Sequence, residues 1–329
     1  MRVALFVCLA VSLGTSAHAN DWRVQRVDTP ARIAVIDTVD GRAAINAGGL
    51  WYGVAMDGAN AKLVFIEMPA RPVPPAGALP DGHVATGKRD IARAWLAEPT
   101  ERYGHAVLGD AIEAGSLVIE TRDGKTHTVR LKGDAVFEDL EPRLADLDGD
   151  GRDEVIVVKS YLRRGASLAV VALRKGRYAI VAETPPLGGA HRWLNPAGIA
   201  DFTGDGKSAV ALVRQPHVVG ELQLWSYTGT ALRKTAALPG VTNHILGARA
   251  LAMSAVADFD GDGVADLALP SLDRTRMRIV SFAPDAREIA SIPLPAKAVS
   301  NIALIANGKK PPAIAAGLAD GTLVVIRRD

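Results

Sequence analysis

The stretch LADLDGDGRDEV at residues 144–155 recurs twice without gaps, and this repetition decides the fold class. The two further copies are IADFTGDGKSAV at residues 199–210 and VADFDGDGVADL at residues 256–267. The first aspartates of the three copies are spaced 55 and then 57 residues apart, and they are Asp146, Asp201 and Asp258. Self-similarity of this period is typical of repeat architectures.

Three short apolar segments follow each copy, and glycine, proline or aspartate residues bound them. The first set covers residues 155–158, 210–213 and 267–269, the second 167–173, 221–227 and 277–282, and the third 178–184, 232–238 and 288–294. With the strand that enters each loop, every repeat has four short strands. A four-stranded antiparallel sheet repeated at this length predicts a blade of a β-propeller. A β-helix has a much shorter period, and a sandwich does not repeat at this length.

The number of blades follows from the rest of the chain. Residues 138–329 supply four blades, and the less regular stretch 32–140 supplies strands for two more, so we expect six blades, with seven as the alternative. The last repeat has only three strands. Residues 22–27 can supply the fourth strand and so remove an exposed sheet edge. The strands that we expect before residue 140 include RIAVIDTVDG, LWYGVAM, KLVFIEM, HAVLGD, SLVIETRDG and HTVRLKG.

An insertion is predicted between the first two blades. Residues 71–82 form a proline-rich loop, and the sequence RDIARAWLAEP follows at residues 89–99. In that sequence Ile91, Trp95 and Leu96 can form the apolar stripe of a short helix. We therefore expect a short helical insertion on one face of the propeller, where it either decorates the fold or meets a partner.

The N-terminus resembles a secretory signal peptide. Arg2 precedes an apolar run from Val3 to Leu13, and Ala17-His18-Ala19 is a small-x-small cleavage signal. We expect residues 1–19 to be removed, which leaves residues 20–329 as a single propeller domain that is periplasmic or secreted. The apolar run is too short to span a bilayer.

The composition of residues 20–329 excludes several kinds of partner and stabilisation. They contain no cysteine, so no disulfide holds the loops, and they carry 37 lysines and arginines against 36 acids. This balance predicts no bulk attraction for nucleic acid or anionic lipid. No later apolar stretch is long enough for a membrane helix, so we expect a protein that does not span the membrane.

The aspartate-rich loops have the spacing of a cation site. Oxygen donors at positions 1, 3, 5 and 9, a glycine at 6 and a backbone carbonyl at 7 suit the six to eight hard oxygens that Ca²⁺ prefers. The first loop, residues 146–154, offers Asp146, Asp148, Asp150, the carbonyl of Arg152 and Glu154. The third loop, residues 258–266, offers Asp258, Asp260, Asp262, the carbonyl of Val264 and Asp266. Mg²⁺ fits less well because it demands octahedral geometry, and zinc or copper would need histidine or cysteine ligands.

Electrostatics supports a bound cation in these loops. Two unit charges about 4 Å apart repel by roughly 4 kcal/mol at an effective dielectric of 20, and four carboxylates give several such pairs. The middle loop, residues 201–209, keeps Asp201, Thr203 and Asp205 but has Ala209 at position 9. We therefore expect two calcium sites and a third, weaker one. An EF-hand is excluded because position 12 is Val157, Leu212 or Leu269 instead of glutamate.

The sequences DLDGDGRDE and DFDGDGVAD, each entering a β-rich repeat, resemble the FG-GAP or VCBS-type repeats of integrin α-subunit propellers and of many exported bacterial proteins. The resemblance implies a propeller in which calcium ions brace the hairpins of the blades. It places the ligand roles on the loop residues named above, and Ala209 departs from the pattern. The same motif occurs in adhesion proteins, lectins and enzymes, so it implies no particular activity.

Histidines and arginines before strands are the candidates for a second site. His191, Arg192 and Trp193 precede one repeat, with Asn195 close behind them, and His244 and Arg249 hold the matching place in the next. His105 precedes an earlier strand, and His217 lies in a loop between strands. Such a group at a channel mouth can bind an anion or a sugar, but each residue can equally serve packing. Asp110 and Glu113 form a further acidic pair, for which a solvated hairpin is the simpler interpretation.

The sequence contains no G-x-S-x-G or HExxH motif, and residues 20–329 have no cysteine nucleophile. We therefore expect an exported, calcium-stabilised binding or scaffold module for a protein or glycan partner. The alternative is an extracytoplasmic hydrolase or lyase with a His/Arg site at the channel mouth. Clustering of His191, His244 and the two arginines around a pocket would favour the enzyme, and their dispersal would favour the scaffold. A flat surface without pockets would favour a purely structural adapter.

Overall fold

The computed structural model describes residues 21–39 and 41–329, so the predicted signal peptide lies outside the described residues. The described chain is all-β, with 25 strands and no α-helix. The described residues include no helix that is long and apolar enough to cross a membrane.

The strands form six antiparallel blades: four are separate four-stranded sheets, and two share one nine-stranded sheet through the short strand Ala135–Phe137. After β1 (Trp22–Val27), blade 1 contains β2 (Ile33–Val39), β3 (Arg42–Ala47), β4 (Leu50–Asp57) and β5 (Asn60–Ile66). Blade 2 contains β6 (Ala85–Thr86), β7 (Ile91–Thr100), β8 (Glu113–Thr121) and β9 (Thr126–Arg130), and β10 (Ala135–Phe137) follows it. Blade 3 contains β11 (Arg143–Ala145), β12 (Glu154–Tyr161), β13 (Gly165–Arg174) and β14 (Arg177–Glu183).

The remaining strands complete the set. Blade 4 contains β15 (Leu194–Ala200), β16 (Ala209–Arg214), β17 (Glu221–Tyr227) and β18 (Leu232–Pro239). Blade 5 contains β19 (Ala255–Ala257), β20 (Asp266–Pro270), β21 (Arg276–Ser281) and β22 (Arg287–Pro293). Blade 6 contains β23 (Ala298–Ile305), β24 (Ala313–Leu318) and β25 (Leu323–Arg328), and β1 is its fourth strand. The count confirms six blades, and the described residues supply no seventh.

Pairing of the two ends of the chain completes blade 6. β1 runs antiparallel to β25 in continuous register from Trp22↔Arg328 to Val27↔Leu323. The strand predicted at residues 22–27 is therefore confirmed in the place that the sequence assigned to it.

Hydrophobic contacts between neighbouring blades hold most of the ring together. One cluster of buried side chains joins blades 2, 3 and 4. Further clusters join blade 4 to 5, blade 5 to 6 and blade 6 to 1. Blades 1 and 2 meet differently, because Arg71 of the connecting segment donates a hydrogen bond to Asp37 of blade 1 and lies 3.4 Å from His83 Nδ1. We call this boundary the polar seam.

The predicted helix is wrong, because residues 91–100 form strand β7. β7 pairs with β8, and both of its faces are covered: Ile91 and Leu96 face blade 3, whereas Trp95 packs with Val84 on the opposite side. A register shift between Ile91 and Arg93 also interrupts the alternation of a regular strand. The apolar spacing therefore looked helical although it serves two buried faces.

Two other expectations for blades 1 and 2 need correction or refinement. The segment HAVLGD, residues 105–110, is a turn between β7 and β8, although the sequence suggested a strand. The proline-rich loop 71–82 is no detached insertion, because Ala78 pairs with Ala97 and Leu79 N donates to Leu96 O. Its C-terminal half therefore extends the inner edge of blade 2.

The antiparallel order of each blade sends its turns to two opposite faces. Turns between the first and second strands and between the third and fourth lie on one face, which we call the acidic face because it carries loops 146–154, 201–209 and 258–266. Turns between the second and third strands and the connections between blades lie on the other. We call it the histidine face because it carries His105, His191, His217 and His244.

A central cavity of about 620 Å³ lies where the inner strands converge. Every blade lines it, through Asp37, Thr86, Arg143, Gly198, Ser254 and Asn301 in the order of blades 1 to 6. The cavity therefore marks the axis of the ring.

Replacing Trp22 with alanine tests whether β1 closes the ring. The Trp22 side chain is buried and its ring lies 6.3 Å from that of Phe259, between the first strand and blade 5. We expect Trp22→Ala to lower the free energy of unfolding by about 3 to 5 kcal/mol, as for a large buried aromatic, in urea denaturation. The neighbouring Arg23→Ala is the control, because the Arg23 side chain is mostly exposed; equal losses in both variants would contradict closure by β1.

Candidate functional site

The first aspartate of each acidic loop organises the backbone of the loop. Asp146 accepts hydrogen bonds from the amides of Gly149 at 2.7 Å and Gly151 at 3.0 Å. Asp201 and Asp258 accept the equivalent bonds, from Gly204 and Gly206 and from Gly261 and Gly263. Gly151 has a φ of 86°, a conformation that glycine adopts without strain. The same turn thus forms three times, whether or not all the acids are present.

The acid at position 9 lies beneath the loop. Glu154 Oε2 accepts a hydrogen bond of 2.9 Å from the amide of Leu147, and Asp266 Oδ2 accepts one of 3.0 Å from Phe259. Both side chains are almost fully buried. Burial raises the pKa of each carboxyl to about 7, and the charges of neighbouring aspartates add to the rise. A nearby cation would remove this penalty because it favours the charged form.

The donor atoms of two loops fit a hard cation. In the first loop Asp146, Asp148 and Glu154 each offer an oxygen within 4.8 Å of the others, and in the third loop Asp258, Asp260 and Asp262 do so. Asp148 Oδ1 and Asp266 Oδ1 are buried without a hydrogen-bond partner. All-oxygen donor sets of this kind suit Ca²⁺. Asp150 and Asp266 lie outside these two close groups, and the carbonyls of Arg152 and Val264 stay predicted ligands.

The middle loop forms no equivalent group of acids in the described structure. Asp201 accepts four backbone hydrogen bonds, from the amides of residues 203–206, and these bonds lower its pKa although burial opposes them. Ala209 is buried where Glu154 and Asp266 place a carboxylate. The backbone alone therefore satisfies the first aspartate, and the weak third site stays a prediction.

Arginines connect the first acidic loop to the blades on either side. Arg89 of blade 2 lies 3.8 Å from Asp146 and 3.0 Å from Asp153. Arg174 lies 3.5 Å from Asp148 and donates to the carbonyl of Gly229 in blade 4. The carboxylates of this loop therefore take part in contacts that link blades 2, 3 and 4.

On the histidine face, the buried carboxylate of Glu138 is the centre of one group of polar residues. Glu138 Oε1 lies 2.5 Å from His105 Nδ1, and Ser160 donates a hydrogen bond to Oε2. The His105 ring stacks on His191 with centroids 5.1 Å apart. The amide of His191, a residue with a φ of 60°, donates to the Tyr103 hydroxyl at 2.8 Å. His191 is thus held in a left-handed conformation against His105.

A second group surrounds Trp193. Its indole stacks on His217 and meets His244 edge-on, with centroids 6.2 Å and 4.7 Å away. His244 Nε2 lies 2.8 Å from the carbonyl of Ala248, which can only accept, so His244 Nδ1 accepts the proton of His217 Nε2 at 2.9 Å. Burial lowers the pKa of both imidazoles to about 4. Both rings are therefore neutral at pH 7.

The five residues predicted to bind a ligand do not form one pocket. His191 belongs to the Glu138 group, whereas Trp193 and His244 belong to the second group. Arg192 donates to the carbonyl of Leu187, and Arg249 donates to the carboxylates of Asp81 and Asp110. Asn195 is fully buried and holds the backbone of Asn243 and Leu251. Most of these side chains are occupied by partners within the protein, which disfavours a shared catalytic pocket.

The acidic pair Asp110 and Glu113 is also divided. Asp110 binds Arg249 near the surface, whereas Glu113 is almost fully buried, and its Oε1 has no hydrogen-bond partner. Burial, followed by the charge of Glu138, raises the pKa of Glu113 to about 10. The solvated hairpin suggested by the sequence describes Asp110 but not Glu113. Glu138 itself was missed because its partners come from distant segments.

Comparisons with known proteins support the fold alone. No family model and no curated protein matches the chain. A streptogramin B lyase structure aligns with a TM-score of 0.50 and 10% identity, covering 94% of this chain and 98% of that one. Virginiamycin B lyase from Staphylococcus aureus aligns with a TM-score of 0.44 and 13% identity, covering 94% of this chain and 100% of that one. BBS1N, in a complex with ARL6DN, aligns with a TM-score of 0.48 and 12% identity, covering 94% and 97%. The first of these alignments supports the β-propeller fold of this chain.

Chelation tests the acidic loops. An ion that binds only the folded chain stabilises it by mass action, so we expect EDTA to lower the melting temperature. In calcium, Asp148→Ala should lower the melting temperature more than Thr203→Ala, because only Asp148 belongs to a close group of acids. In EDTA the difference between the two variants should shrink. A melting curve unchanged by EDTA, or equal effects of the two substitutions in calcium, would contradict the assignment.

Glu113 gives the protein a specific pH dependence. Its pKa is about 10 in the folded state, against 4.5 for a free glutamate side chain. Between these values the folded chain holds a proton that the unfolded chain has lost, so stability falls as the pH rises. We expect the unfolding free energy of the wild type to decline from pH 5 to 9 relative to Glu113→Gln, measured by urea denaturation at each pH. Parallel pH profiles for the two proteins would show that Glu113 is ionised in the fold.

Proposed function

We propose that the protein is an exported β-propeller of the FG-GAP or VCBS type, stabilised by calcium at two acidic loops, that binds a partner protein through its histidine face. The fold leaves two faces available, and they differ in chemistry. The acidic face carries the charged turns, whereas the other carries apolar side chains and imidazoles. The observation that carries the proposal is the exposure of large apolar residues on the histidine face.

Four exposed aliphatic side chains flank the second histidine group. Val218 and Val219 follow His217 directly and are 75% and 40% exposed, and Leu246 is 64% exposed. Leu272 of the next blade is 37% exposed and covers Gly220. The other large exposed apolar side chains in the described chain lie in blade 1, in the segment after it and on β23, and none lies in a turn of the acidic face. Exposed apolar patches of this kind mark interaction surfaces.

The same face favours a protein over a glycan. Glycans are commonly held by stacking on exposed aromatic rings, but Tyr103 and Trp193 are only 3% and 2% exposed. Aliphatic side chains exposed on one face resemble the apolar centre of a protein interface. A protein partner therefore fits the exposed chemistry better.

An enzymatic function is the second candidate, and the contact between His105 and Glu138 favours it. A carboxylate that orients one imidazole nitrogen leaves the other free as a general base. Against this, Glu138 and Ser160 are fully buried and the His105 side chain is only 13% exposed. Access for a substrate is therefore narrow, and binding is the better-supported function.

Site-specific photo-crosslinking in the cells that produce the protein tests the proposed surface. We expect a photoreactive residue at Val218 or Leu246 to give an adduct with the same discrete protein, because both side chains point outward on the histidine face. The same residue at Lys207, which is exposed on the acidic face, is the control and should give no such adduct.

Adding Leu272→Asp should abolish the adducts at both positions without changing the melting temperature, because Leu272 is partly exposed. An adduct that forms only from Lys207, or one that is insensitive to Leu272→Asp, would contradict binding through the histidine face.

A further inference from the structure

The central cavity is covered on the histidine face by the connection between blades 4 and 5. This connection, residues 240–254, crosses the ring before it enters β19, and we call it the strap. The amide of Gly247 donates to Val107 O of blade 2, and Ile302 N of blade 6 donates to Ala252 O. Arg249, Leu251, Ala252 and Ser254 of the strap line the cavity. The strap is therefore both a cover and a wall of the cavity.

A reciprocal pair of asparagines and a double ion pair hold the strap. Asn243 donates to the carbonyls of Asn195 and Pro196, and Asn195 donates back to Asn243 O. Arg249 binds Asp81 and Asp110 of the blade 2 region, each at 2.8 Å. The role of Arg249 is thus to anchor the strap, whereas the sequence suggested a ligand contact.

The arginines that line the cavity are all paired with acids. Arg71 pairs with Asp37, Arg143 pairs with Asp139 at 2.6 Å, and Arg249 is shared by two aspartates. The lining itself contains these three arginines and two acids, Asp37 and Glu141, whereas Asp81, Asp110 and Asp139 pair with the arginines from outside the lining. Since every arginine is already paired, these groups do not provide a free site for an anion.

Glu141 is the one acid of this set whose carboxylate has no ion-pair or hydrogen-bond partner among the described residues. It lines both the central cavity and an adjoining cleft along the polar seam, which also includes Asp37, Arg71 and His83. The cleft connects the cavity with the side of the ring at which blades 1 and 2 have no shared hydrophobic cluster. A ligand can therefore reach Glu141 although the strap covers the histidine face.

The lining of the cavity also includes the aliphatic side chains of Leu144, Leu251 and Val84. A volume of about 620 Å³ falls within the range of small-molecule sites, which combine apolar walls with a few fixed polar groups. One unpaired carboxylate among aliphatic walls is complementary to a cation with an alkyl body. We propose that the central cavity binds a small primary alkylammonium compound, with the ammonium on Glu141 and the alkyl chain against the aliphatic walls. This site is separate from the partner surface proposed above.

Titration with three four-carbon probes tests the charge and the place of binding. We expect butylammonium to bind the calcium-loaded protein in calorimetric or ligand-observed NMR titrations, and butyrate and 1-butanol of the same length to bind far more weakly. Glu141→Gln keeps the shape of the side chain and removes its charge. It should weaken butylammonium binding by about tenfold or more, as for loss of a hydrogen bond to a charged group. Glu101→Gln, at an exposed glutamate that does not line the cavity, should leave binding unchanged.

A second variant tests the location independently of charge. Leu251→Trp fills part of the cavity from the strap and should also weaken butylammonium binding, with the melting temperature checking that the variant folds. The proposal is wrong if butylammonium fails to bind the wild type or binds Glu141→Gln equally well. It is also wrong if butyrate binds more tightly than butylammonium. None of these outcomes depends on a partner at the histidine face.

Discussion

The fold depends on how the carboxylates are stabilised in the loops between the first and second strands of the blades. The first aspartate of each loop accepts backbone amides from two glycines, and this part of the turn is complete without a cation. In the first and third loops two further carboxylates lie close to this aspartate, and one oxygen each of Asp148 and Asp266 is buried without a partner. Backbone hydrogen bonds therefore shape the turn, whereas a divalent ion would neutralise the carboxylates that the turn brings together.

This division explains why the repeats can differ in charge and keep one architecture. The middle loop has Ala209 in place of a buried acid, and it retains the turn because Asp201 is fully satisfied by amides. In the first loop, Asp146 lies close to Arg89 of blade 2, and Asp148 lies close to Arg174, which also contacts blade 4. Residues 20–329 contain no cysteine, so no disulfide joins these blades.

Much of the fold could be predicted because each repeat is a pattern of consecutive residues. The strands after each aspartate loop and the pairing of residues 22–27 with the last strand follow from the sequence and are confirmed. Strand β7 was mistaken for a helix because both of its faces are buried and a register shift breaks its alternation. The spacing of apolar residues does not show directly whether one or both faces of a strand are buried, so a strand with two buried faces is hard to recognise.

The histidine face was predicted less completely because its contacts join distant segments. Glu138 meets His105 and Ser160, which are 33 and 22 residues away, and its backbone carbonyl accepts from Trp193, 55 residues away. The sequence indicated that His191 and His244 lie on one face, but it did not reveal that His191 stacks on His105 whereas His244 packs on Trp193. Tertiary structure decides which side chains already have hydrogen-bond partners within the protein. Side chains that have such partners are less available for catalysis.

Calcium stoichiometry tests the central claim most directly. Protein freed of metal by chelation would be titrated with Ca²⁺ in a calorimeter, and the number of ions bound per chain would be measured. The account predicts two ions bound at the first and third loops, with any third ion much weaker. Absence of calcium binding, or an unchanged stoichiometry when Asp148 and Asp260 are both replaced by alanine, would contradict it.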